Sequence, residues 1–212
     1  MKKRTYISID GGYLTYLMRD TGYFISADNI ERAALACVGQ DEELWRILFY
    51  HCREFEGKTP LPVSGELVEW KPKSHSVVDD LARKNFFAAR LGMLSFRGWQ
   101  KKSGARGEKL SDDDFRPVFE QKGVDMRIGL DMAMIAERQM VDRLILISAD
   151  TDLIPALKLC RQRGIQVIVV EFPDKQISYK LLEHSDLCRQ VKWPEDMALF
   201  EPRGGFHAHS HS

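Results

Sequence analysis

Apolar residues recur along this chain with two different periods. "DRLILIS" (142–148) and "IQVIVV" (165–170) are continuous apolar runs, the pattern of strands covered on both faces. "RTYISID" (4–10) alternates and stops at Asp10-Gly11-Gly12, a strand ending in a tight turn. Between the two continuous runs, Leu153, Ala156, Leu157 and Cys160 repeat at i, i+3, i+4 and i+7, which predicts a helix stopped by Gly164. A short strand in "FRPVFEQ" feeds a second such helix, with Val124, Ile128, Met132 and Ile135 on its apolar face. Upstream, the pattern predicts helices from Tyr13 to Arg19 and from a cap at Asp28 to Val38, then a strand in "ELWRILFYHCREF". Next come a Pro- and Gly-rich loop with a short hairpin (56–76), a helix from Val77 to Leu91, a strand in "MLSFRGWQKK" and a flexible "SGARGEKLSDDD". Strands alternating with helices predict an α/β protein with a parallel, doubly wound sheet in a three-layer sandwich.

At 212 residues, 44% apolar and 29% charged, the chain suits one soluble globular domain over residues 1–200. No apolar run is long enough for a membrane span or a secretion signal, so no membrane partner and a cytoplasmic location are expected. Cys37, Cys52, Cys160 and Cys188 lack zinc spacing and read as reduced core thiols. "EPRGGFHAHSHS" (201–212) reads as a disordered tail whose histidines are spaced too loosely for a metal site. Net charge is zero but uneven: residues 71–109 hold ten Lys or Arg against three acids. That basic stretch, within an insertion at about 53–114, is a candidate arm for an anionic ligand.

The candidate chemistry is acidic. In an open α/β sheet, ligands gather beyond the carboxyl ends of the strands, where Asp10 and Asp150 fall. Asp152 follows two residues on and is also a candidate helix cap, and Asp125 opens the helix that carries Asp131. Asp131 falls within that helix's apolar stripe, so it requires a cation or a hydrogen-bond donor. Asp125 lies roughly 120° away around the same helix, and both reach one site only if Asp125 folds over the helix end. Carboxylates crowded together need compensation, and a hard divalent cation with oxygen ligands supplies it. Phosphodiester hydrolysis with Mg²⁺ or Mn²⁺ is the reaction that uses such a site, and it needs no nucleophilic side chain. Ser148 and Thr151, beside Asp150, are candidates to hydrogen-bond a water or a phosphate.

"YISIDGG", "KGVDMRIGLDMAMIA", "LILISADTDLIPALKLCRQRGIQVIVV" and "LLEHSDLCRQV" resemble, in this order, the blocks of the NYN domain family, PIN-like metal-dependent ribonucleases that include the LabA-like proteins. The resemblance implies a PIN-like α/β/α sandwich with a mostly parallel central sheet, Mg²⁺ or Mn²⁺ binding, and RNA cleavage. It places metal-site acids at Asp10, Asp125 and Asp150, and catalytic acids also at Asp131 and Asp152. Two positions depart from the pattern: Tyr13 stands where the family has Asn, and Ala149 where it has Gly.

For the substrate, Lys84, Arg97, Lys101 and Lys102 suit phosphates and Trp99 suits base stacking, with Tyr13 beside the acids; Phe86 and Phe87 read as core residues of their helix. Single-stranded or loop RNA is expected, since its bases can be splayed out; a homodimer is left open. Two other readings compete with a ribonuclease. One is a catalytically weak RNA-binding or regulatory protein that keeps the pocket, favoured by Tyr13. The other is a phosphatase of the haloacid dehalogenase type, which "SADTD" matches superficially but which leaves Asp10 and Asp131 without a role.

Overall fold

The computed structural model describes residues 1–72, 76–104, 109–173 and 175–200. One sheet of seven strands organises them: β1 (Lys3–Asp10), β2 (Glu42–Cys52), β5 (Phe87–Lys101), β6 (Phe115–Lys122), β7 (Arg143–Ile147), β8 (Gln166–Glu171) and β9 (Leu187–Gln190). Their order is β6-β5-β2-β1-β7-β8-β9, parallel throughout except for the β5–β6 pair. A separate hairpin, β3 (Gly57–Pro60) and β4 (Leu67–Trp70), accompanies it.

Period-2 alternation assigns each strand's side chains to two cores. Ile7, Ile9, Ile47, Phe49, Ile145, Ile147, Ile168 and Val170 pack under α1 (Gly11–Asp20), α2 (Ala27–Ala36) and α3 (Val77–Leu81). Tyr6, Leu48, Tyr50, Leu144, Leu146, Val167 and Val169 pack under α4 (Val124–Glu137), α5 (Ile154–Gln162) and α6 (Tyr179–Leu182). The result is a three-layer α/β/α sandwich with a mostly parallel sheet. The alternation in "RTYISID" does not mark a solvent face: Tyr6, Ile7, Ser8 and Ile9 are all buried, because β1 is the central strand with a helix layer on either side.

Several local expectations differ from the observed elements. The helix expected to reach Leu91 ends at Leu81, and Phe86 turns the chain at φ 68°. From Phe87 the backbone pairs with Ile47 in β2, and Phe87, Ala89 and Leu91 join one core at alternate positions. Tertiary pairing thus overrides a sequence that also suits a helix, and Phe86 lies half-exposed outside any helix. The cap of α2 is Ser26, whose side chain accepts from the Asn29 N–H, while Asp28 sits in the first turn. Cys37, Cys52 and Cys160 are buried free thiols, but Cys188 is exposed on the edge strand.

Segment 53–114 supplies a main-sheet strand as well as the hairpin. Beyond its last pairing with β2 at Gly92, β5 continues from Met93 to Lys101 against β6, a ribbon of roughly 30 Å at about 3.3 Å per residue that rises past the carboxyl ends of the parallel strands. The hairpin packs on it through Phe55, Trp70, Phe96, Trp99 and Phe119, whose ring centroids lie 5.3–6.2 Å apart. Trp99 also donates Nε1–H to the Pro60 carbonyl at 2.8 Å. Trp99 is therefore held in a partly exposed aromatic cluster against the hairpin, and is not the free-standing surface ring that base stacking was expected to use. Residues 105–108, within the expected flexible connection, and the tail 201–212 lie outside the described residues.

An ion network ties the amino ends of β2 and β7 to Arg189 of β9. Glu42, 3% exposed, accepts from Arg143 at 2.6 Å and from Arg189 at 2.7 and 2.9 Å. Arg143, also buried, reaches Asp41 at 3.1 Å and Gln166 at 2.8 Å.

Candidate active site

The opposite rim carries the acids. β1 ends at Asp10, whose Oδ1 accepts the Tyr13 N–H at 3.1 Å and caps α1. The turn into α1 requires glycine at position 11: a Cβ there would stand 2.6 Å from the Phe49 ring and 2.7 Å from the Tyr50 carbonyl. β7, paired with β1 through Ile9 and Ile147, delivers Ser148 and Asp150 beside Asp10. Ser148, fully buried, donates to Asp10 Oδ2 at 3.4 Å and accepts the Asp150 N–H at 3.1 Å. It positions the two acids and is shut off from substrate, which corrects the expectation that it touches a ligand.

Asp150 Oδ1 accepts the Asp152 N–H at 2.9 Å, so Asp150 caps the 3₁₀ turn Thr151–Leu153, and the capping role considered for Asp152 belongs to Asp150. The Asp152 side chain is exposed, and Thr151 is partly exposed between the two.

Asp125 arrives from a third segment. Gly123 adopts φ 74°, a left-handed conformation that glycine takes without strain, and it reverses β6 into α4 so that Asp125 lies in the first turn. Burial raises the pKa of Asp10 above the ordinary carboxylate value, and the nearby Asp125 adds to the rise; hydrogen bonds from Tyr13, Gly12 and Ser148 oppose it without cancelling it. Partial burial, with Asp150 and Asp152 close by, raises that of Asp125. Asp125 thus feels or exerts repulsion with each of Asp10, Asp150 and Asp152, and none of the four makes an ion pair with a described Lys or Arg.

Asp131 stands apart. It lies nearly two turns further along α4, where it accepts from the Tyr50 hydroxyl at 2.9 Å and from Arg90 Nε at 3.0 Å. This corrects its expected place among the catalytic acids: it is a half-buried Asp compensated by Arg90 and Tyr50, the donor and cation that its position in the apolar stripe required.

The residues expected to meet phosphates fare unevenly. Lys84 is held by Asp28 and Glu31 of α2, away from the rim, which corrects its assignment to substrate. Arg97 pairs with Glu120 across the ribbon, so it too is already engaged. Lys71, Arg83 and Arg90 also have acidic partners. Lys101 and Lys102 remain exposed near the ribbon tip, close enough to Asp114 to help lower its pKa behind the hydrogen bonds from Ser111.

Gln121, which carries no sequence signal of its own, lies at the site. Its Oε1 and Nε2 stand 3.3 and 3.5 Å from where a Cβ on Gly12 would sit, and Asp10 Oδ1 is 3.2 Å from the same point. Tyr13 is partly buried; burial and then the charge of Glu171 raise its pKa, with Lys175 opposing and Asp10 adding to the rise. The family's Asn amide is thus absent from position 13, and a glutamine amide from β6 lies close to Asp10.

A mostly parallel sheet between two helix layers, with unpaired acids at the carboxyl ends of its central strands, defines a PIN-like α/β protein with a nuclease-like fold. A family model for the NYN domain matches residues 73–190, more than half the chain. The chain belongs to the NYN domain family. The matched span begins inside the segment that sequence reading set apart as an insertion, and "YISIDGG" lies before it. Among solved structures, a protein of unknown function from Vibrio parahaemolyticus RIMD 2210633 is similar in fold: 19% identity and a TM-score of 0.51, over 93% of this chain and 97% of that one. No curated protein matches the chain. Among the described residues no helix is long and apolar enough to cross a membrane.

Proposed function

We propose that this protein is a divalent-metal-dependent ribonuclease that hydrolyses phosphodiester bonds of unpaired RNA at the acidic rim. In this reading Asp10, Asp125 and Asp150 are the candidates to hold Mg²⁺ or Mn²⁺, one or two of them directly, with Asp152 beside them. The observation that carries it is the contrast in compensation: Glu42 and Asp131 are matched by arginines, whereas the four rim acids, from three chain segments, have no cationic partner among the described residues.

The donor set fits a particular kind of ion. Among the described residues no three His, Cys, Asp or Glu side chains are close enough to hold an ion together, and both Asp10 oxygens already accept hydrogen bonds. Such an open, all-oxygen set suits a hard cation that keeps several waters and takes one or two carboxylates, as Mg²⁺ commonly does. When bound, the ion would neutralise the phosphate and acidify a water. The protein's own contributions are orientation and access. Ser148 fixes Asp10 relative to Asp150, the 3₁₀ turn fixes Asp150, and Thr151, Tyr13 and Gln121 border the rim. Lys101 and Lys102 at the ribbon tip are free to meet phosphates.

The test is cleavage of a labelled single-stranded RNA by purified protein with Mg²⁺ or Mn²⁺. EDTA and Asp150→Asn should each abolish it, and robust cutting under either condition refutes the reading. A second reading, an RNA-binding protein with little or no turnover, is favoured by Tyr13 and by the looseness of the acid set. RNA bound with steep salt dependence but uncut with any divalent metal would establish it instead.

A further inference from the structure

The rim continues past the acids. In the order β1-β7-β8-β9, the strand ends that carry Asp10 and Asp150 are followed by those of β8 and β9. There the chain forms an open groove of about 900 Å³, lined by Glu171, Lys175, Gln176, Gln190 and Lys192 among others. We propose that this groove is the track along which single-stranded RNA runs to or from the acid rim, with its phosphates on Lys175 and Lys192 and its sugars and bases against Gln176 and Gln190. The choice of RNA as ligand rests on the ribonuclease reading.

Two observations support the assignment. First, the groove adjoins the acids: the phenol of Tyr13, whose backbone N–H is bonded to Asp10, lies within electrostatic reach of Glu171 and Lys175. A polymer crossing the rim from Asp10 toward β9 must pass Tyr13, an aromatic ring placed to meet a base. Second, its cations are available. Lys192 is exposed and makes no ion pair with a described residue. Lys175 bonds Asp20 at 3.0 Å and the Tyr16 hydroxyl at 3.4 Å on the surface, interactions that a phosphate can replace at little cost. Among the described lining residues the one carboxylate is engaged, since Glu171 accepts from the Ile177 N–H at 3.1 Å and from Gln190 at 3.3 Å.

The test uses the full chain with Asp150→Asn and Mg²⁺, measuring fluorescence anisotropy of a labelled single-stranded RNA across a salt series. Removing one lysine that neutralises a phosphate should flatten log K against log salt by about 0.7 for a single strand. Lys192→Gln should therefore lower the slope by about 0.7, and Lys175→Gln with Lys192→Gln by about 1.4. Lys2→Gln with Lys3→Gln, at the amino end of β1 and so at the opposite end of the strands, should leave it unchanged. Lys192→Gln disturbs no described ion pair, so it keeps the test decisive if loss of the Lys175–Asp20 pair loosens α1. An unchanged slope in the groove variants, or a fall only in Lys101→Gln with Lys102→Gln, would overturn the track. A protein that shows these slopes but never cuts RNA retains the groove and loses the ribonuclease reading; one that binds no RNA loses both.

Discussion

Replacing Glu42 with Gln should separate the two ways this protein handles buried acid. Glu42 is 3% exposed and accepts three guanidinium hydrogen bonds, from Arg143 and from both terminal nitrogens of Arg189. Burial alone would raise its pKa, but the bonds from Arg189, the Gly39 N–H and Arg143 outweigh that and hold it below the usual value. Removing one member of a buried ion pair costs about 3–5 kcal/mol, mostly through the uncompensated partner. Arg143 keeps Asp41, and Gln keeps one carbonyl acceptor, so the loss belongs at the low end, about 3 kcal/mol. For a chain of this size that is a fall in Tm of roughly 6–12 °C, at about 2–4 °C per kcal/mol. Urea unfolding should show a lower midpoint at unchanged slope. Because the folded-state pKa is depressed, the stability from Glu42 is present above the unfolded carboxylate value, ~4.3, and is lost as pH falls through the folded one. The gap between wild type and variant should therefore close in acid. A neutral-pH gap below about 1 kcal/mol, or one that persists unchanged in acid, would refute this account of the network.

Asp10→Asn should behave oppositely: in metal-free protein it should raise Tm at neutral pH. The raised pKa of Asp10 means that its ionisation disfavours the fold as pH rises through that value, so the gain should vanish below it; a lower Tm at neutral pH would contradict the repulsion argument. Asp131→Ala should cost about 1–3 kcal/mol by stranding the Tyr50 hydroxyl and Arg90, yet leave RNA cleavage per folded molecule intact. Loss of cleavage at unchanged stability would return Asp131 to the catalytic set. Trp99→Ala should remove the ring packing against Trp70 and Phe96, at about 0.5–1.5 kcal/mol for each pair, and the bond to Pro60, loosening the hairpin. Limited proteolysis near residues 61–66 should accelerate while the global melt moves little.

Periodicity and strand-end chemistry made much of this protein legible in one dimension. The continuous apolar runs of β7 and β8 read as strands buried on both faces, and acids at the ends of such a strand and of the alternating β1 fall at a sheet rim, so Asp150 and Asp10 could be placed there from the sequence. The spacing around α4 and α5 likewise identified their buried faces. What the pattern could not contain was the pairing of distant segments. Asp131 reads like its neighbour Asp125 until Arg90, 41 residues earlier, and Tyr50, 81 residues earlier, are seen to compensate it. Trp99 reads as a free surface ring until the hairpin folds back on the ribbon, Arg97 as unpaired until β6 sets Glu120 beside it, and Gln121 has no signal at all before β6 returns to the rim. Local sequence determines which residues prefer a helix, a strand or a cap. Whether a charge is paired or free depends on which other segment is brought within a few ångströms of it, and only the tertiary structure decided that.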